Sequence, residues 1–350
     1  MGLHYADIHH SYGPVPALKG VSLEARSGEI LCLLGRSGCG KSTLLNLTAG
    51  LLPVQSGTIA LDGAMLASPD RNPPPEARGV GLVFQEGALF PHLTVAQNIG
   101  FGVADTSRRA GLVADLLDQI GLGGMGERYP HTLSGGQQQR VAVARALAPG
   151  PGVLLMDEPF ASIDISLRRH LREETRRLVK QGGAVTLLVT HDPEEALEVA
   201  DRIAVMEAGR ITQIGTAREL HDRPASLFVG LMAGSGAVIE ARIADGHAHS
   251  AFGRFPLDRL SLDPGGTGYF AASSTVDLLL YPHRARLVED ADGLRVTDVR
   301  QTGRSQIVTV QAVDGASLLL ETDPEPGCTV GQQVRIESAG RPWPAFSRRA

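Results

Sequence analysis

The chain has 350 residues, a formal net charge of −5 at pH 7 and 43% hydrophobic residues. A chain of this length is expected to form two domains of roughly 100–200 residues each. Its acidic balance argues against a general nucleic-acid binder, which needs a basic surface, and no apolar run approaches the ~18 residues that span a bilayer.

The amino terminus and the cysteines favour a reducing compartment. Residues 1–10 contain no basic segment followed by an apolar core, so a secretory signal is not expected. The three cysteines are an odd number without metal-site spacing, and they are Cys32, Cys39 and Cys328.

The first strongly predicted strand leads into a glycine-rich loop. Residues 30–34 are an apolar run, and residues 41–51 have a helical pattern. Between them lies GRSGCGKST, which in this strand-to-helix context is typical of a phosphate cradle. The predicted nucleotide-binding residues are Gly35, Arg36, Ser37, Gly38, Cys39, Gly40, Lys41, Ser42 and Thr43.

Lysine and serine in this loop have separate predicted roles. The chain holds only three lysines among 33 basic residues, so a lysine at this position is not its default cation. Lys41 is predicted to reach the β- and γ-phosphates of a nucleotide, and the Ser42 hydroxyl to ligate Mg²⁺. Cys39 is either a redox switch or a small residue that fits the loop.

An aromatic residue precedes the loop in a chain that is only 4% aromatic. Tyr12 is predicted to stack on adenine, while a tyrosine in the core or in a turn is the alternative.

The elements up to residue 232 alternate between strands and helices, which predicts an α/β core with a mostly parallel sheet. A helical insertion is predicted at residues 94–148, and it carries LSGGQQQR at residues 133–140. The further predicted strands are 79–84, 153–156, 185–189 and 203–206, and the further helices are 108–120, 135–147, 165–180 and 193–200.

Polar residues follow three of these strands, at the edge where ligands of parallel sheets bind. Asp157 is predicted to hold the hydration shell of Mg²⁺, and Glu158 to polarise the attacking water as a general base. Gln85 is predicted to contact both Mg²⁺ and that water. His191 is predicted to contact the γ-phosphate, although a histidine after a strand is by itself more often a surface residue.

Beyond residue 236 the pattern changes to short strands separated by turns, which predicts an all-β barrel or sandwich. Predicted hairpin turns are Asp245-Gly246, Asp292-Gly293 and Asp314-Gly315. The predicted strands are 237–243, 268–271, 276–281, 294–302, 306–313, 317–321 and 333–338.

Taken together and in this order, GRSGCGKST, Gln85, LSGGQ, VLLMDE and His191 resemble the nucleotide-binding subunits of ABC transporters over residues 3–232. The resemblance implies an α/β P-loop NTPase domain at residues 3–235, with the helical insertion at 94–148. It also implies an appended β-barrel regulatory domain of the transport-associated OB-like type at residues 236–350.

In such proteins two copies enclose two ATP molecules head to tail. The resemblance therefore implies that Ser134, Gly135, Gly136 and Gln137 of one copy face the γ-phosphate bound by Lys41 of the other. Glycines there permit close backbone approach, and they begin a helix whose positive end can point at phosphate.

The implied partners are a second copy of the chain, two membrane-spanning permease subunits and, indirectly, an extracytoplasmic solute-binding protein. The implied position is peripheral, on the cytoplasmic face of the inner membrane. The segment 90–95, which contains His92, is expected near the contact with the membrane subunits.

Strings at residues 85–102, 128–149 and 194–211 look most like those of ferric-iron importer ATPases. Importers of sulfate, molybdate, polyamines and sugars share most of these strings, so the solute stays open, with iron preferred. A soluble ABC ATPase of DNA repair or translation would be expected to show long coiled-coil insertions or two linked cassettes, and this sequence shows neither.

One departure from the family is visible after DEPF, where the usual S-A-L-D is replaced by Ala161-Ser162-Ile163-Asp164. Loss of the first serine is expected to weaken communication between the two sites while function survives, because Asp164 is retained.

Histidines in the carboxyl-terminal region raise the alternative of a metal sensor. His247, His249 and His283 lack a set of carboxylate or cysteine partners, which favours surface or turn histidines.

Overall fold

The computed structural model describes residues 2–85, 88–161, 163, 165–234, 236–262, 274–281, 285–302, 305–323 and 327–348. The chain divides into two units, residues 1–217 and 218–350. The predicted domain boundary after residue 235 stays a prediction. The predicted strand at 268–271, His283, Ser162 and Asp164 lie outside the described residues.

The first unit has an α/β order of elements, as the sequence predicts. Its elements in chain order are β1 (Gly2–Tyr12), β2 (Val15–Arg26), β3 (Ile30–Leu34), α1 (Lys41–Ala49), β4 (Ser56–Leu61), β5 (Ala64–Ala67), β6 (Val80–Val83), α2 (Val95–Gly100), α3 (Thr106–Gln119), α4 (Gly135–Leu147), β7 (Val153–Asp157), α5 (Ile165–Gly182), β8 (Val185–Thr190), α6 (Pro193–Val199), β9 (Arg202–Glu207) and β10 (Arg210–Gly215).

The main sheet of this unit has the order β10-β9-β3-β8-β7-β6. Its five strands from β9 to β6 are mutually parallel, and β10 is an antiparallel edge strand. The predicted mostly parallel sheet is confirmed. Because Leu34 pairs with Thr190, Asp157 with Val189 and Val83 with Met156, the segments that follow β3, β6, β7 and β8 all emerge at one edge.

A second sheet, antiparallel and ordered β2-β1-β4-β5, was not predicted. Strand β1 alternates buried and exposed residues only in part, because its pairing with β2 shifts register between Tyr5 and Ile8 and again beyond. Leu3 and Tyr5 are buried before the first shift, and Ile8 and His10 are buried after it. This change from odd to even positions interrupts the alternation that marks a strand in a sequence.

Helix α1 is closed at its carboxyl end by a buried arginine. Arg78 is 5% exposed, and its Nη1 donates to the carbonyls of Leu47 at 2.6 Å and Thr48 at 3.2 Å. Its Nε donates to the carbonyl of Pro73 at 2.8 Å. The guanidinium therefore satisfies helix-end carbonyls that have no partner within the helix.

The amino end of β3, opposite to the glycine-rich loop, is held by a carboxylate. Asp201 Oδ2 accepts from the Ile30 backbone at 2.9 Å and from Lys180 Nζ at 2.8 Å, and its Oδ1 accepts from Arg176 at 2.7 Å. Burial raises the pKa of Asp201, but these donors outweigh burial and the pKa is lowered. The start of β3 is thus fixed to helix α5.

The second unit is built almost entirely of strands. Helix α7 (Ala217–Asp222) begins at the division of the chain. The elements that follow are α8 (Leu227–Ala233), β11 (Ala237–Ala244), β12 (His247–Ser250), β13 (Gly253–Pro256), β14 (Leu260–Leu262), β15 (Thr275–Leu280), β16 (Ala285–Gln301), β17 (Gln306–Gln311), β18 (Ser317–Thr322), β19 (Gln333–Ser338) and β20 (Trp343–Ser347).

These strands form two sheets, ordered β13-β12-β11-β15-β20-β14 and β18-β17-β16-β19. Their pairings are antiparallel except between β14 and β20. Inward side chains of both sheets, such as Trp343, Leu278 and Val308, form one buried core. The predicted OB-like β-domain is confirmed.

One predicted hairpin in this unit is wrong. Asp292 and Gly293 lie inside the single strand β16, where its pairing with β19 shifts between Glu289 and Leu294. A Cβ at Gly293 would lie 2.4 Å from the carbonyl oxygen of Val334. The Asp-Gly pair therefore marks a bulge with close backbone approach and not a turn.

Within the described residues, every helix is too short or too polar to cross a bilayer.

Candidate active site

The glycine-rich loop lies between β3, whose residues are all 0% exposed, and helix α1. Gly38 and Gly40 have φ of 81° and 107°, in the region that favours glycine. At Gly35 the requirement is space, because a Cβ would lie 2.2 Å from the carbonyl oxygen of Met206 on β9. Gly40 caps α1 without a side chain, so the first N–H groups of the helix face the loop.

Lys41 is folded over this loop. Its side chain is only 5% exposed, and its Nζ donates to the carbonyls of Gly35 at 2.8 Å and Arg36 at 3.1 Å. Cys39, which is also buried, places its Sγ 3.8 Å from the same nitrogen. The loop therefore holds an ammonium group at its centre, which is the charge that a polyphosphate needs.

Ser42 and Asp157 come from different elements and meet at the sheet edge. The exposed Ser42 hydroxyl, in the first turn of α1, donates to Asp157 Oδ1 at 3.3 Å. Burial raises the pKa of Asp157 and outweighs the Ser42 hydrogen bond, which lowers it; the charge of Glu158 raises it and that of Lys41 lowers it by less. A cation between these oxygens would relieve that cost, since Mg²⁺ prefers carboxylate and hydroxyl oxygen ligands.

Glu158 and His191 follow adjacent strands and are joined directly. His191 Nδ1 donates to Glu158 Oε1 at 3.0 Å. Glu158 has a φ of 44°, which is uncommon outside glycine, and its backbone N–H donates to the carbonyl of Val189 at 2.9 Å. That hydrogen bond holds a strained backbone in place and aims the carboxylate at the edge of the sheet.

Two further predicted residues lie near this edge. Gln85 is exposed, two residues beyond the end of β6, and β6 pairs in parallel with β7. Tyr12 is 51% exposed, its hydroxyl lies 3.4 Å from Thr43 Oγ1 in α1, and its ring meets His10 edge-on at 4.9 Å. An accessible aromatic ring therefore lies beside the helix that carries the loop.

The LSGGQ segment forms the amino-terminal cap of α4. The Ser134 hydroxyl accepts from the Gln137 backbone at 3.4 Å, and Gln137 Oε1 accepts from the Ser134 backbone at 2.9 Å. This reciprocal capping box leaves the positive end of a helix without an acidic residue in its first turn. The side chains of Ser134 and Gln137 therefore each bond to the other's backbone within the cap. Lys41 instead bonds to carbonyls of the phosphate loop.

The two glycines of this segment differ in their surroundings. Nothing within 4 Å would meet a Cβ at Gly135, which is exposed, whereas a Cβ at Gly136 would lie 2.8 Å from Leu171 Cδ1 on α5. A Cβ at Gly136 would thus force the Leu171 side chain to shift, whereas Gly135 leaves an open backbone surface at the helix end.

A buried carboxyl beside the site was not predicted. Glu195 on α6 is 3% exposed, and its Oε2 accepts from Thr190 Oγ1 at 2.8 Å. Burial raises its pKa to about 7. Its spacing of four residues from Val199 places the two on one face of α6, but the sequence alone does not show that this face is buried.

In the second unit, the histidines that raised the metal-sensor alternative contact backbone carbonyls. His247 Nδ1 lies 2.9 Å from the Asp245 carbonyl and His249 Nε2 lies 3.3 Å from the Ala244 carbonyl. Among the residues described, no group of three or more His, Cys, Asp or Glu side chains is placed to hold a metal ion. A cavity of about 850 Å³ in this unit is lined by both arginines and carboxylates around Trp343.

Comparisons with known proteins show the family of the chain. The family described as ABC transporter matches residues 18–161. The chain is 44% identical to the Fe(3+) ions import ATP-binding protein FbpC of Mesorhizobium japonicum, over 97% of this chain and 98% of that one. It is 38% identical to the sulfate/thiosulfate import ATP-binding protein CysA 1 of Agrobacterium fabrum, over the whole of both chains.

A solved structure of an ATP-binding cassette has a similar fold. It is the dimeric structure of a post-hydrolysis state of the ATP-binding cassette MJ0796 bound to ADP and Pi. It matches with a TM-score of 0.52 and 29% identity, over 61% of this chain and 98% of that one.

Proposed function

The chain belongs to the ABC transporter family of ATP-binding proteins, and we propose that it hydrolyses ATP to drive uptake of ferric iron through membrane-spanning partners. The observation that supports the proposal most strongly is the convergence of Ser42, Asp157, Glu158 and His191 beside a phosphate loop at one edge of a parallel sheet.

In the proposed reaction the loop binds the triphosphate. The first N–H groups of α1 and the Lys41 ammonium contact its oxygens, and Lys41 exchanges its bonds to the Gly35 and Arg36 carbonyls for bonds to phosphate. Tyr12 stacks on the adenine ring. Glu158 takes a proton from the attacking water, and His191, held by Glu158, contacts the γ-phosphate.

The oxygen donors beside the loop suit magnesium. Ser42 and Asp157 present a hydroxyl and a carboxylate to one place, and Gln85 offers an amide oxygen from the neighbouring strand end. A bound Mg²⁺ would supply positive charge that neutralises the phosphates. Ser42 and Asp157 are proposed as its ligands on this chain, with Gln85 as the residue that joins the metal to the water.

The proposed site is completed by a second copy of the chain. The capped amino end of α4, with Ser134, Gly135, Gly136 and Gln137, carries helix-end N–H groups but no lysine or carboxylate of its own. We place it against the γ-phosphate bound by the partner subunit; that a similar ATP-binding cassette is dimeric with ADP and Pi bound supports a site shared between two copies. One copy alone is then expected to bind ATP and hydrolyse it poorly.

The preferred solute is ferric iron. Iron-import relatives are 44% and 42% identical over 97% and 91% of this chain, while a sulfate/thiosulfate-import relative is 41% identical over 91%. The preference for iron over sulfate therefore rests on a small difference in identity. Uptake is proposed to involve two permease subunits and an extracytoplasmic solute-binding protein, with this chain peripheral on the cytoplasmic face of the inner membrane. Sulfate, molybdate, polyamines and sugars are the competing solutes.

The test of ATP hydrolysis uses the purified full chain with Mg²⁺ and ATP. Phosphate release is expected from the wild type and not from Lys41→Ala, because the loop then lacks its central charge. Lys19→Ala, in which the changed lysine lies on β2, is the matched control and should keep the wild-type rate. Equal rates for Lys41→Ala and the wild type would contradict the proposal.

The solute is tested in proteoliposomes that contain the whole transporter. ATP-driven uptake of ferric iron is expected, with sulfate, molybdate and spermidine as parallel substrates. Uptake of one of these in place of iron would overturn the iron assignment and leave the ATPase assignment intact.

A further inference from the structure

The carboxyl group of Glu195 is a buried acid that the proposed reaction does not use. It belongs to the third residue of α6 and is 3% exposed. Its Oε2 accepts from Thr190 Oγ1 at 2.8 Å, while its Oε1 is buried without a hydrogen-bond partner in the described part of the chain. Leaving a carboxyl oxygen unpaired in the interior is costly, so its retention needs a reason.

Thr190 connects this carboxyl to the turn that carries His191. The Thr190 hydroxyl donates to Glu195 and accepts from the Asp192 backbone N–H at 3.0 Å. One hydroxyl therefore ties the residues on both sides of His191 together. The orientation of the imidazole depends on this turn, because the backbone on either side of it is fixed.

The other side of the turn is fixed by a salt bridge. Asp192 Oδ2 accepts from Arg172 on α5 at 2.8 Å, and Asp192 Oδ1 accepts from the Glu194 backbone at 2.9 Å. Arg172 is 5% exposed and also binds Glu198 at 3.1 Å. The turn is thus held from α5 through Asp192 and from α6 through Thr190.

Charged groups from several elements face Glu195. Burial raises its pKa to about 7, and Asp192 at the cap of α6 and Glu158 after β7 raise it too, whereas the Thr190 hydrogen bond and Arg172 lower it. The buried Cys32 thiol on β3 faces it as well, and burial, followed by the charge of Glu195, raises the pKa of that thiol. Glu195 therefore exchanges its proton near neutral pH.

We propose that Glu195 is a positioning residue of the ATPase site, which acts through the Thr190 hydroxyl to hold His191 against Glu158. The inference rests on the proposed hydrolysis of ATP. Glu195 and Thr190 do not touch the nucleotide in this proposal. They set the angle at which the imidazole meets the γ-phosphate, and small misplacements of such a group cost on the order of 10²-fold in rate.

The first test separates turnover from binding. Glu195→Ala and Thr190→Val are expected to lower kcat about ten- to hundredfold with little change in KM for ATP, since the loop and Tyr12 are untouched. Glu195→Gln and Thr190→Ser keep the oxygen or the hydroxyl and should restore most of kcat. Glu194→Ala removes an exposed carboxylate from the same helical turn and is the matched control.

The second test asks whether the effect passes through His191. In a His191→Ala background, single-turnover hydrolysis should not fall further when Thr190→Val is added, because the positioned group is already gone. An equal fold-loss in both backgrounds would show that Thr190 acts elsewhere, and the proposal would be overturned. The kcat profile of Glu195→Gln should also lose an ionisation near pH 7 that the wild type shows.

A readout without hydrolysis keeps the two proposals distinguishable. In the nucleotide-free chain, the ring ¹⁵N signals of His191, assigned by comparison with His191→Asn, should move in Glu195→Ala and stay in place in Glu194→Ala. If the wild type failed to hydrolyse ATP, the proposed function would fail while this signal still tested the positioning. Unchanged ring signals together with unchanged kcat in Glu195→Ala and Thr190→Val would refute it.

Discussion

His191 Nδ1 donates to Glu158 Oε1 across 3.0 Å, which joins the residues that follow two adjacent parallel strands. The side chain of Glu158 is 21% exposed and that of His191 is 53% exposed. The pair is therefore open to a ligand on one side and anchored on the other. Its geometry suits a carboxylate that takes a proton from water beside an imidazole that contacts phosphate.

Replacement of Glu158 by glutamine is expected to stop hydrolysis and spare ATP binding. The amide keeps the shape and a hydrogen-bonding oxygen but cannot serve as a general base, which contributes roughly 10²- to 10⁴-fold to a rate. Phosphate release should fall by that factor, and size-exclusion chromatography with ATP should show an accumulated dimer. Glu173→Gln, at an exposed position on α5, should behave as the wild type. A wild-type rate in Glu158→Gln would show that the assigned base is wrong.

Gly135 and Gly136 allow folding and function to be separated with neighbouring substitutions. Gly136→Ala places a methyl group 2.8 Å from Leu171 Cδ1, so the Leu171 side chain must shift. Its free energy of unfolding should therefore lie about 1–2 kcal/mol below that of Gly135→Ala. Gly135→Ala meets nothing within 4 Å and should unfold at a urea concentration no lower than that of the wild type, since alanine favours a helix more than glycine does. Its ATPase rate should nevertheless drop, because the methyl group obstructs the surface proposed to face the partner's γ-phosphate. Wild-type activity in Gly135→Ala would contradict that placement.

Arg78 stabilises the helix that carries the loop. Arg78→Ala would leave the carbonyls of Leu47 and Thr48 without their donors, and the free energy of unfolding should fall by about 2 kcal/mol. Urea denaturation followed by circular dichroism measures this change. The exposed Arg71 offers the control, since Arg71→Ala should stay within about 0.5 kcal/mol of the wild type. Similar midpoints for the two variants would show that the cap contributes little.

Stability should depend on pH through Glu195. In the unfolded chain this carboxyl ionises near the ordinary glutamate pKa of 4.5, whereas in the folded chain burial raises the pKa to about 7. Between these values unfolding releases a proton, so the free energy of unfolding falls as pH rises from about 4.5 to about 7. Glu195→Gln removes this loss.

Glu195→Gln also allows the pH dependence of stability to be measured. The free energy of unfolding of Glu195→Gln minus that of the wild type should increase from pH 5 to pH 8, by urea denaturation at each pH. A difference that stayed constant over this range would mean that Glu195 is ionised in both states.

The strand, loop and helix around Lys41 were predictable because three independent signals coincide: an apolar run, glycines at fixed spacing and a helix start. Helix α4 and strand β19 have the predicted bounds. In each case the residues that determine the structure are neighbours in the sequence, so their pattern is visible without knowledge of the fold.

The elements that were missed depend on contacts between distant residues. The shifts between β1 and β2 interrupt the alternation of β1, and the bulge at Gly293 is set by the carbonyl of Val334 on another strand. The sequence also places Glu194 and Glu195 side by side. Only the packing of α6 on β8 and β3 decides that Glu195 is buried and Glu194 is exposed.

Because Lys41 is one of only three lysines, amine chemistry on this chain reports on very few places. Lys41 is 5% exposed and bonded to its own loop, while Lys180 is 39% exposed beside Asp201. An acylating reagent should therefore mark Lys180 before Lys41. The ratio of acylated Lys41 to acylated Lys180, measured by mass spectrometry, then reports how often the Lys41 side chain leaves the carbonyls of the phosphate loop.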